Sequence, residues 1–396
     1  MPEAVIVSAA RTPIGRASKG ALKAIRADDM GAFAIRGALS RIPAFDYTSI
    51  EDVIVGCAFP EGEQGMNLAR IVTGLAGLPV TSGAVTVNRF CASSLQAVNM
   101  AAQSVMLGQG DVIVVGGVEN MSRVPMGGFN PSFNPKLINN PNGVEACGLP
   151  GTMTTAFEQS YIPMGLTAEN LAKKYDISRA EQDRFSLQSH QRALAAMDAG
   201  ILAREIVPVT LPDGAVMTTD EGARRDTSLE RLASLEPAFI AGGTVTAGNS
   251  SPLNDGASSV IIMSREKAQE LGFKPRARIL AMAVAGVEPE YMGIGPVPAV
   301  RKALKRANLT LADIDIIELN EAFAAQSLAV IRELGLDEAR VNPHGGAIAL
   351  GHPLGCTGAR ITGALVNDLE TLDKRLGIAT LCVGGGQGVA TIIERL

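Results

Sequence analysis

The stretch VTVNRFCASSLQAVNMAAQSVM (residues 85–106), with the run DVIVVGG that follows it (residues 111–117), decides the fold. Val85 and Val87 alternate in a β-branched strand that ends near Asn88, and Leu95, Val98 and Val105 recur at helical spacing just beyond Cys91. The Val/Ile-rich run after the helix reads as a buried strand. The alternation continues outward from this unit. EAVIV (3–7) and EDVIVGC (51–57) precede it, and DIDIIEL (313–319), IATLCV (378–383) and GVATIIE (388–394) follow. Strands alternating with helices predict an α/β fold with its sheets covered on both faces.

The order of elements occurs twice. A strand near Val5, a strand near Val53, a helix after Cys91 and a strand at Asp111–Val115 correspond to Arg278–Met282, Asp315–Leu319, the helix beyond His352 and Ile378–Val383. The repeat is one of pattern, not of letters, and points to a duplicated α/β unit. Ser178 with Glu181 three residues on is a capping box opening a helix that runs to Gly200. Ala324, Leu328 and Ile331 share a helical stripe stopped by Gly335, and Ile361, Leu365 and Leu369 share another. Between the halves, GGFNPSFNPKLINNPNG (127–143) has the Asn/Pro/Gly composition of an ordered loop, a usual place for substrate specificity.

Composition bounds the function by exclusion. The 396 residues carry 35 Lys+Arg against 40 Asp+Glu and only 4% aromatic side chains, so the basic face and stacking platforms of a nucleic-acid binder are not expected. The apolar stretches fall well short of the ~20 residues of a bilayer span. The strand at Ala4–Ser8 leaves no room for a leader, IERL at the C-terminus is not a peroxisomal address, and five Cys suit a reducing compartment. A cytoplasmic protein, neither membrane-bound nor a partner of nucleic acid, is the expectation.

Few residues have the chemistry for catalysis. Cys91 at a helix N-terminus would feel the positive end of the dipole, which favours a nucleophilic thiolate, although the same position suits a small buried hydrophobe. His352, framed by Gly351, Pro353 and Gly355, is displayed by a loop as a general base for Cys91 requires; a capping or core histidine fits equally. A metal pair of His344 and His352 lacks further ligands at suitable spacing, so no metal site is expected. His190, on a polar helix, reads as solvated. Cys382 ends a strand, and the GGGQG after it reads as a tight hairpin whose N–H groups could approach a ligand as an oxyanion hole does. Asn320 and Glu321 open a helix, where Asn320 suits an N-cap, and a site shared with the GHPLG and GGGQG blocks of the same half is the other reading. Cys57, Cys147 and Cys356 read as structural.

Several segments together resemble the thiolase family across nearly the whole chain. They are ARTPIG from Ala10, NRFCASSLQAV around Cys91, GGVENMSRVPM from Gly116, MGLTAEN from Met164 and GTVTAGNSSPLNDGA from Gly243, then NEAFA from Asn320, GGAIALGHPLGCTGAR from Gly345 and CVGGGQGVA from Cys382. The resemblance implies the thiolase fold, two topologically similar α/β halves stacked in layers with a loop-domain insertion. The expected division is 1–122, completed by about 246–272, for the N-terminal half, 123–245 for a loop domain that binds CoA and substrate, and 273–396 for the C-terminal half. It also implies roles. Cys91 corresponds to the acylated nucleophile, His352 to its base, and Cys382 to the acid/base at the α-carbon of acetyl-CoA. Asn320 would hold a water that with His352 forms one oxyanion hole, and the N–H groups of Cys91 and Gly384 would form the other. For CoA, the co-substrate rather than a resident cofactor, the resemblance points to Arg224 at the nucleotide, Ser251 on the pantetheine, and Met164 and Phe323 at the thioester. Without the family, Arg224 and Arg225 are a solvated pair and Phe323 is core.

The implied activity is thiolytic cleavage of 3-ketoacyl-CoA, or the reverse condensation, with EGARRDTSLERL (221–232) and GHPLGCTGAR (351–360) leaning toward degradative members. A homodimer or homotetramer is expected. Ser94 departs from the Gly usual in the family's Cys-x-Ser-Gly turn, Pro163 from a His, and NPHGG (342–346) from NVNGG. Ser94 could crowd the nucleophile, and it motivates the alternative of a non-catalytic acyl-CoA or lipid carrier. A ketoacyl-synthase type of condensing enzyme is disfavoured by Cys382.

Overall fold

The computed structural model describes residues 2–138, 140–145 and 151–396. Cys147 lies outside them, and so does part of the Asn/Pro-rich insert. The longer strands are β1 (Ala4–Arg11), β2 (Asp52–Gly56), β3 (Gly83–Val87), β4 (Val112–Asn120), β5 (Asn254–Ser264), β6 (Ala277–Gly286), β7 (Ile316–Leu319), β8 (Leu376–Val383) and β9 (Gln387–Arg395). The main helices are α1 (Ala27–Leu39), α2 (Leu68–Leu75), α3 (Ser93–Met106), α4 (Met164–Lys174), α5 (Arg179–Asp198), α6 (Pro296–Ala307), α7 (Ala324–Leu334) and α8 (Leu354–Thr371). No helix among the described residues is long and apolar enough to cross a membrane.

One ten-stranded sheet runs through the molecule in the order β7-β8-β9-β6-β1-β5-β4-β2-β3, with the short strand Gly15–Arg16 beside β5. Its pairing repeats. β2 lies parallel to β4 (Val53 opposite Val114) as β7 lies parallel to β8 (Ile317 opposite Ile378). β4 is antiparallel to β5 as β8 is to β9, and β1 is antiparallel to β5 as β6 is to β9. The halves meet where Val5 and Ile6 pair with Arg278 and Ala277. The duplicated unit read from the sequence is therefore a duplicated strand-pairing scheme, carried by a mixed sheet.

Side-chain alternation makes the layers. Ile113 and Val115 on β4, with Ala379 and Leu381 on β8, face a central core built around α3 and α8. Val112 and Val114 turn the other way, onto α1 and α2, while Ile378 turns onto α6 and α7. The result is helices, half-sheet, the α3/α8 pair, half-sheet, helices. α8 accordingly has apolar side chains around much of its circumference, the pattern of a buried helix.

β5 is absent from the strand list of the sequence reading, although it is buried throughout. Its centre, GASS, carries no apolar alternation. The strand is tolerated in the core because Ser258 Oγ donates to Cys356 O (2.6 Å) and Ser259 Oγ to Val115 O (2.7 Å). The capping box at Ser178 forms as read, with Ser178 N 2.8 Å from Glu181 Oε2.

Glycines set the approach of the two central helices. A Cβ at Gly358 would lie 2.0 Å from Leu95 N, and one at Gly355 2.7 Å from Cys57 Cα. Gly358→Ala must therefore push α8 away from α3. We expect a loss of about 1–3 kcal/mol, read as a lower urea midpoint, together with a fall in activity.

Candidate active site

Cys91 sits in a single 3-10 turn, Phe90–Ala92, between β3 and α3. Local polar contacts hold the turn. Asn88 Oδ1 accepts from Phe90 N (2.8 Å), and Ser93 Oγ accepts from Arg89 N (2.9 Å) while donating to Phe90 O (2.7 Å). Phe90 is held at φ +42°, strained backbone of a kind that collects at functional sites. The N–H groups of Gly384 and of Cys91 itself are directed at the Cys91 sulfur, which favours the thiolate, but burial dominates and the thiol is pushed up to about 11. Of the two readings the sequence left open for Cys91, burial favours the unactivated one: at neutral pH the resting group is a thiol.

Cys382 closes β8 opposite Gly388 in the hairpin the sequence predicted. It is fully buried, and burial, with a smaller contribution from neighbouring Cys91, drives its thiol well above the ordinary range. Met164, Ala322 and Phe323 pack around it. Gly384 stands between Phe90 and Met164, whose ring and sulfur lie 3.5 and 3.8 Å from where a Cβ would be.

His352 is buried between the short helix Ala347–Leu350 and α8. Its backbone N donates to Asn254 Oδ1 (2.9 Å). Its tautomer follows from its partners. The Thr357 hydroxyl donates its one hydrogen to Pro353 O (2.8 Å), so at 2.6 Å from His352 Nδ1 it can only accept. Nδ1 therefore carries the ring hydrogen. Burial, helped by the Arg360 charge, pushes the imidazole down to about 3, so the ring is neutral and Nε2 is bare. Nε2 accepts from Asn320 Nδ2 at 3.3 Å, not from the Cys91 thiol. Asn320 Oδ1 is buried with no partner among the described residues.

Asn320 does not cap α7, whose N-cap is Phe323. Its backbone N instead donates to Thr380 O (3.0 Å), which fixes it beside β8 two residues before Cys382. α8 packs on the Phe90–Ala92 turn, and Leu354 shares a core with Cys91. One buried locus thus receives Cys91, Cys382 and Gly384, with Asn320 beside the same strand and His352 bonded to it. A neutral base, two thiols and convergent N–H donors can exchange protons and stabilise an oxyanion.

One acid that shapes the locus escaped the sequence reading. Glu119 is buried at the end of β4, and its carboxylate accepts from Ala58 N (2.7 Å), Phe59 N (3.2 Å), Gln64 Nε2 (2.8 Å) and Gly355 N (2.9 Å). An acid closing an otherwise apolar strand was the available signal. Glu321 is likewise buried, accepting from Ser189 Oγ, Asn342 Nδ2 and Ile348 N. Ser94 does not crowd the nucleophile. Its Oγ accepts from Ala359 N (2.9 Å) against Gly117, which removes the motive for the non-catalytic alternative.

A cavity of about 370 Å³ opens elsewhere, lined by Arg224 with Arg16, His190 and Ile348. Arg225 instead pairs with Asp198. Of the other expected CoA contacts, Met164 and Phe323 lie at Cys382, not in this cavity. Ser251 N donates to Ala322 O (3.0 Å), and its neighbours Pro252 and Gly248 line the cavity, so the segment joins the two places. His190 is buried, not solvated, and His344 Nδ1 meets Asp368 at 2.6 Å. No cluster of three or more His, Cys, Asp or Glu suited to a metal occurs among the described residues.

Residues 4–266 match the model of the thiolase N-terminal domain and 273–395 that of the thiolase C-terminal domain. The chain belongs to the thiolase family. It is 48% identical to the 3-ketoacyl-CoA thiolase of Bacillus subtilis (strain 168) and 50% identical to that of Shewanella sp. (strain MR-7), in each case over 100% of both chains. Among solved thiolase structures, the Bacillus anthracis acetyl-CoA acetyltransferase superposes with a TM-score of 0.88 at 41% identity, and human mitochondrial 3-ketoacyl-CoA thiolase with 0.88 at 40%. Each comparison covers 100% of this chain and 99% of the other. The layered, duplicated architecture is thus the thiolase fold.

Two outcomes are expected from the geometry. Thr357→Val strands the Nδ1 hydrogen and frees the ring to flip, so kcat should fall about 10- to 100-fold with KM little changed, and Thr357→Ser should restore it. Because Cys91 titrates near 11 and His352 near 3, alkylation of Cys91 by iodoacetamide should keep rising with pH beyond 9. A plateau already reached near pH 7 would reveal a thiolate–imidazolium pair instead.

Proposed function

We propose that this thiolase cleaves 3-ketoacyl-CoA with CoA to acetyl-CoA and a shortened acyl-CoA through an acyl-Cys91 intermediate. The convergence of Cys91, Cys382 and the Gly384 N–H beside a His352 whose bare nitrogen is Nε2 carries this reading. The Cys91 thiol gives its proton to His352 Nε2 as the sulfur attacks C3. The C2–C3 bond breaks, the acyl group stays on sulfur, and the leaving acetyl-CoA enolate takes a proton on carbon from the Cys382 thiol. Incoming CoA returns a proton to the Cys382 thiolate and attacks the acyl group. Cys91 leaves and recovers its proton from the imidazolium.

Two developing charges need donors. The N–H groups of Cys91 and Gly384 serve one oxyanion, and His352 Nε2–H, once it holds the Cys91 proton, serves the other with a water on Asn320; the unpartnered Asn320 Oδ1 is an acceptor for such a water. One well-placed donor is worth about 3–4 kcal/mol in known cases. Run backwards, the same groups perform a Claisen condensation. Degradation of 3-ketoacyl chains is the direction we assign, in the cytoplasm, where the described cysteines stay free.

The division into 1–122 completed by about 246–272, 123–245 and 273–396 is proposed with it, the segment 123–245 holding CoA. A homodimer is the assembly we propose. The edge strand β3 is open, and apolar Met66, Ile71, Leu75, Val80 and Val85 are exposed on it and the adjoining segments.

The test is acylation. Wild-type protein mixed with 3-ketoacyl-CoA and CoA should release acetyl-CoA and show an acyl mass on the Cys91 peptide, and Cys91→Ala should show neither. Cys382→Ala should still accept acetyl from p-nitrophenyl acetate at Cys91 while thiolysis falls about 10²- to 10⁴-fold. Thiolysis surviving in Cys91→Ala would sink the mechanism.

A further inference from the structure

The cavity beside Arg224 contains a histidine that no step above uses. His190, on α5, is buried at its wall, and its Nδ1 accepts from the backbone N of Arg224 (3.2 Å). Burial, reinforced by the Arg224 charge, pushes the ring down to about 4, so it is neutral through the physiological range. A neutral imidazole has one donor and one acceptor. With Nδ1 accepting, the hydrogen resides on Nε2, which has no acceptor among the described residues.

The charges around it define what the cavity takes. Arg16, Arg224 and Arg231 line it, with Asp226 as the only carboxylate among the described residues. Arg231 is occupied by Asp226, whereas the guanidinium groups of Arg16 and Arg224 make no ion pair with a described residue. Two unpaired guanidiniums and a fixed N–H donor suit a polyanion with hydrogen-bond acceptors. Of the parts of CoA, the phosphorylated nucleotide answers to this and the neutral pantetheine does not. The cavity wall is linked to the segment that holds Asn320: Ile348 lines it, and Ile348 N donates to Glu321, which Ser189, next to His190, holds as well.

We propose that His190 is a positioning residue for the CoA nucleotide. It pins the Arg224 loop to α5 through Nδ1 and donates Nε2–H to an acceptor on the phosphorylated nucleotide. The inference rests on the thiolase reading above and deepens it. The contribution comes from a neutral donor, so it differs in kind from the Coulombic hold of the two arginines.

The test compares a 3-ketoacyl-CoA with the matching 3-ketoacyl-pantetheine, which lacks the nucleotide. In His190→Asn the amide oxygen replaces the Nδ1 acceptor and the Nε2 donor is lost. The ratio of kcat/KM values, CoA thioester over pantetheine thioester, should fall about tenfold. His190→Gln, whose amide nitrogen reaches the Nε2 position, should hold the ratio within about threefold of wild type. An unchanged ratio in H190N, including an equal loss on both thioesters, overturns the proposal, as does a tenfold fall in H190Q. If H190N fails to fold, H190Q decides alone by the same limits. If the unaltered protein cleaves neither thioester, the thiolase reading has failed on its own account. Calorimetric affinity for adenosine 3′,5′-bisphosphate, expected to weaken about tenfold in H190N, then judges His190 separately, and an unchanged affinity overturns the proposal.

Discussion

Two buried helix N-termini meeting at backbone distance is the constraint on which the site depends. α3 brings Cys91 and α8 brings His352, and they can approach only because Gly358 and Gly355 present no side chain to Leu95 N and Cys57 Cα. The Glu119 carboxylate ties the same junction, holding the 58–59 loop and the first turn of α8 at once. Ser94 adds a further tie from α3 to α8. The sheet halves on either side clamp this pair, so that error in the helix crossing would be transmitted directly to the reacting groups.

Burial makes the resting site electrically quiet. Both thiols are pushed up and the imidazole is pushed down, so all three groups are uncharged at neutral pH. In the mechanism we propose, charge appears when a substrate carbonyl arrives and meets N–H donors already in place at Cys91 and Gly384. The hydrogen on His352 Nδ1 is assigned through Thr357, one helical turn into α8. The helix that delivers the base therefore also sets which of its nitrogens is free.

The motifs made the chemistry legible because reacting groups sit in short segments whose local conformation is nearly self-determined. The Cys382 hairpin, the capping box at Ser178 and the stop of α7 at Gly335 formed where their residues indicated. β5 was illegible for the opposite reason: Ser258 and Ser259 are strand residues only because distant carbonyls accept from them. Asn320 was misplaced as a cap because its partners, Thr380 and His352, lie on other elements.

Local order therefore determined the α/β class and the duplicated succession of elements, since spacing and residue type act over a few neighbours, whereas the two thiols and the histidine were singled out by resemblance to the thiolase family. Protonation states could not be read that way. A cysteine at a helix start reads as a thiolate until burial is known, and His190 on a polar helix reads as solvated until the Arg224 loop folds over it. Desolvation and hydrogen-bond pairing depend on atoms brought from far along the chain, and only the tertiary structure decided them.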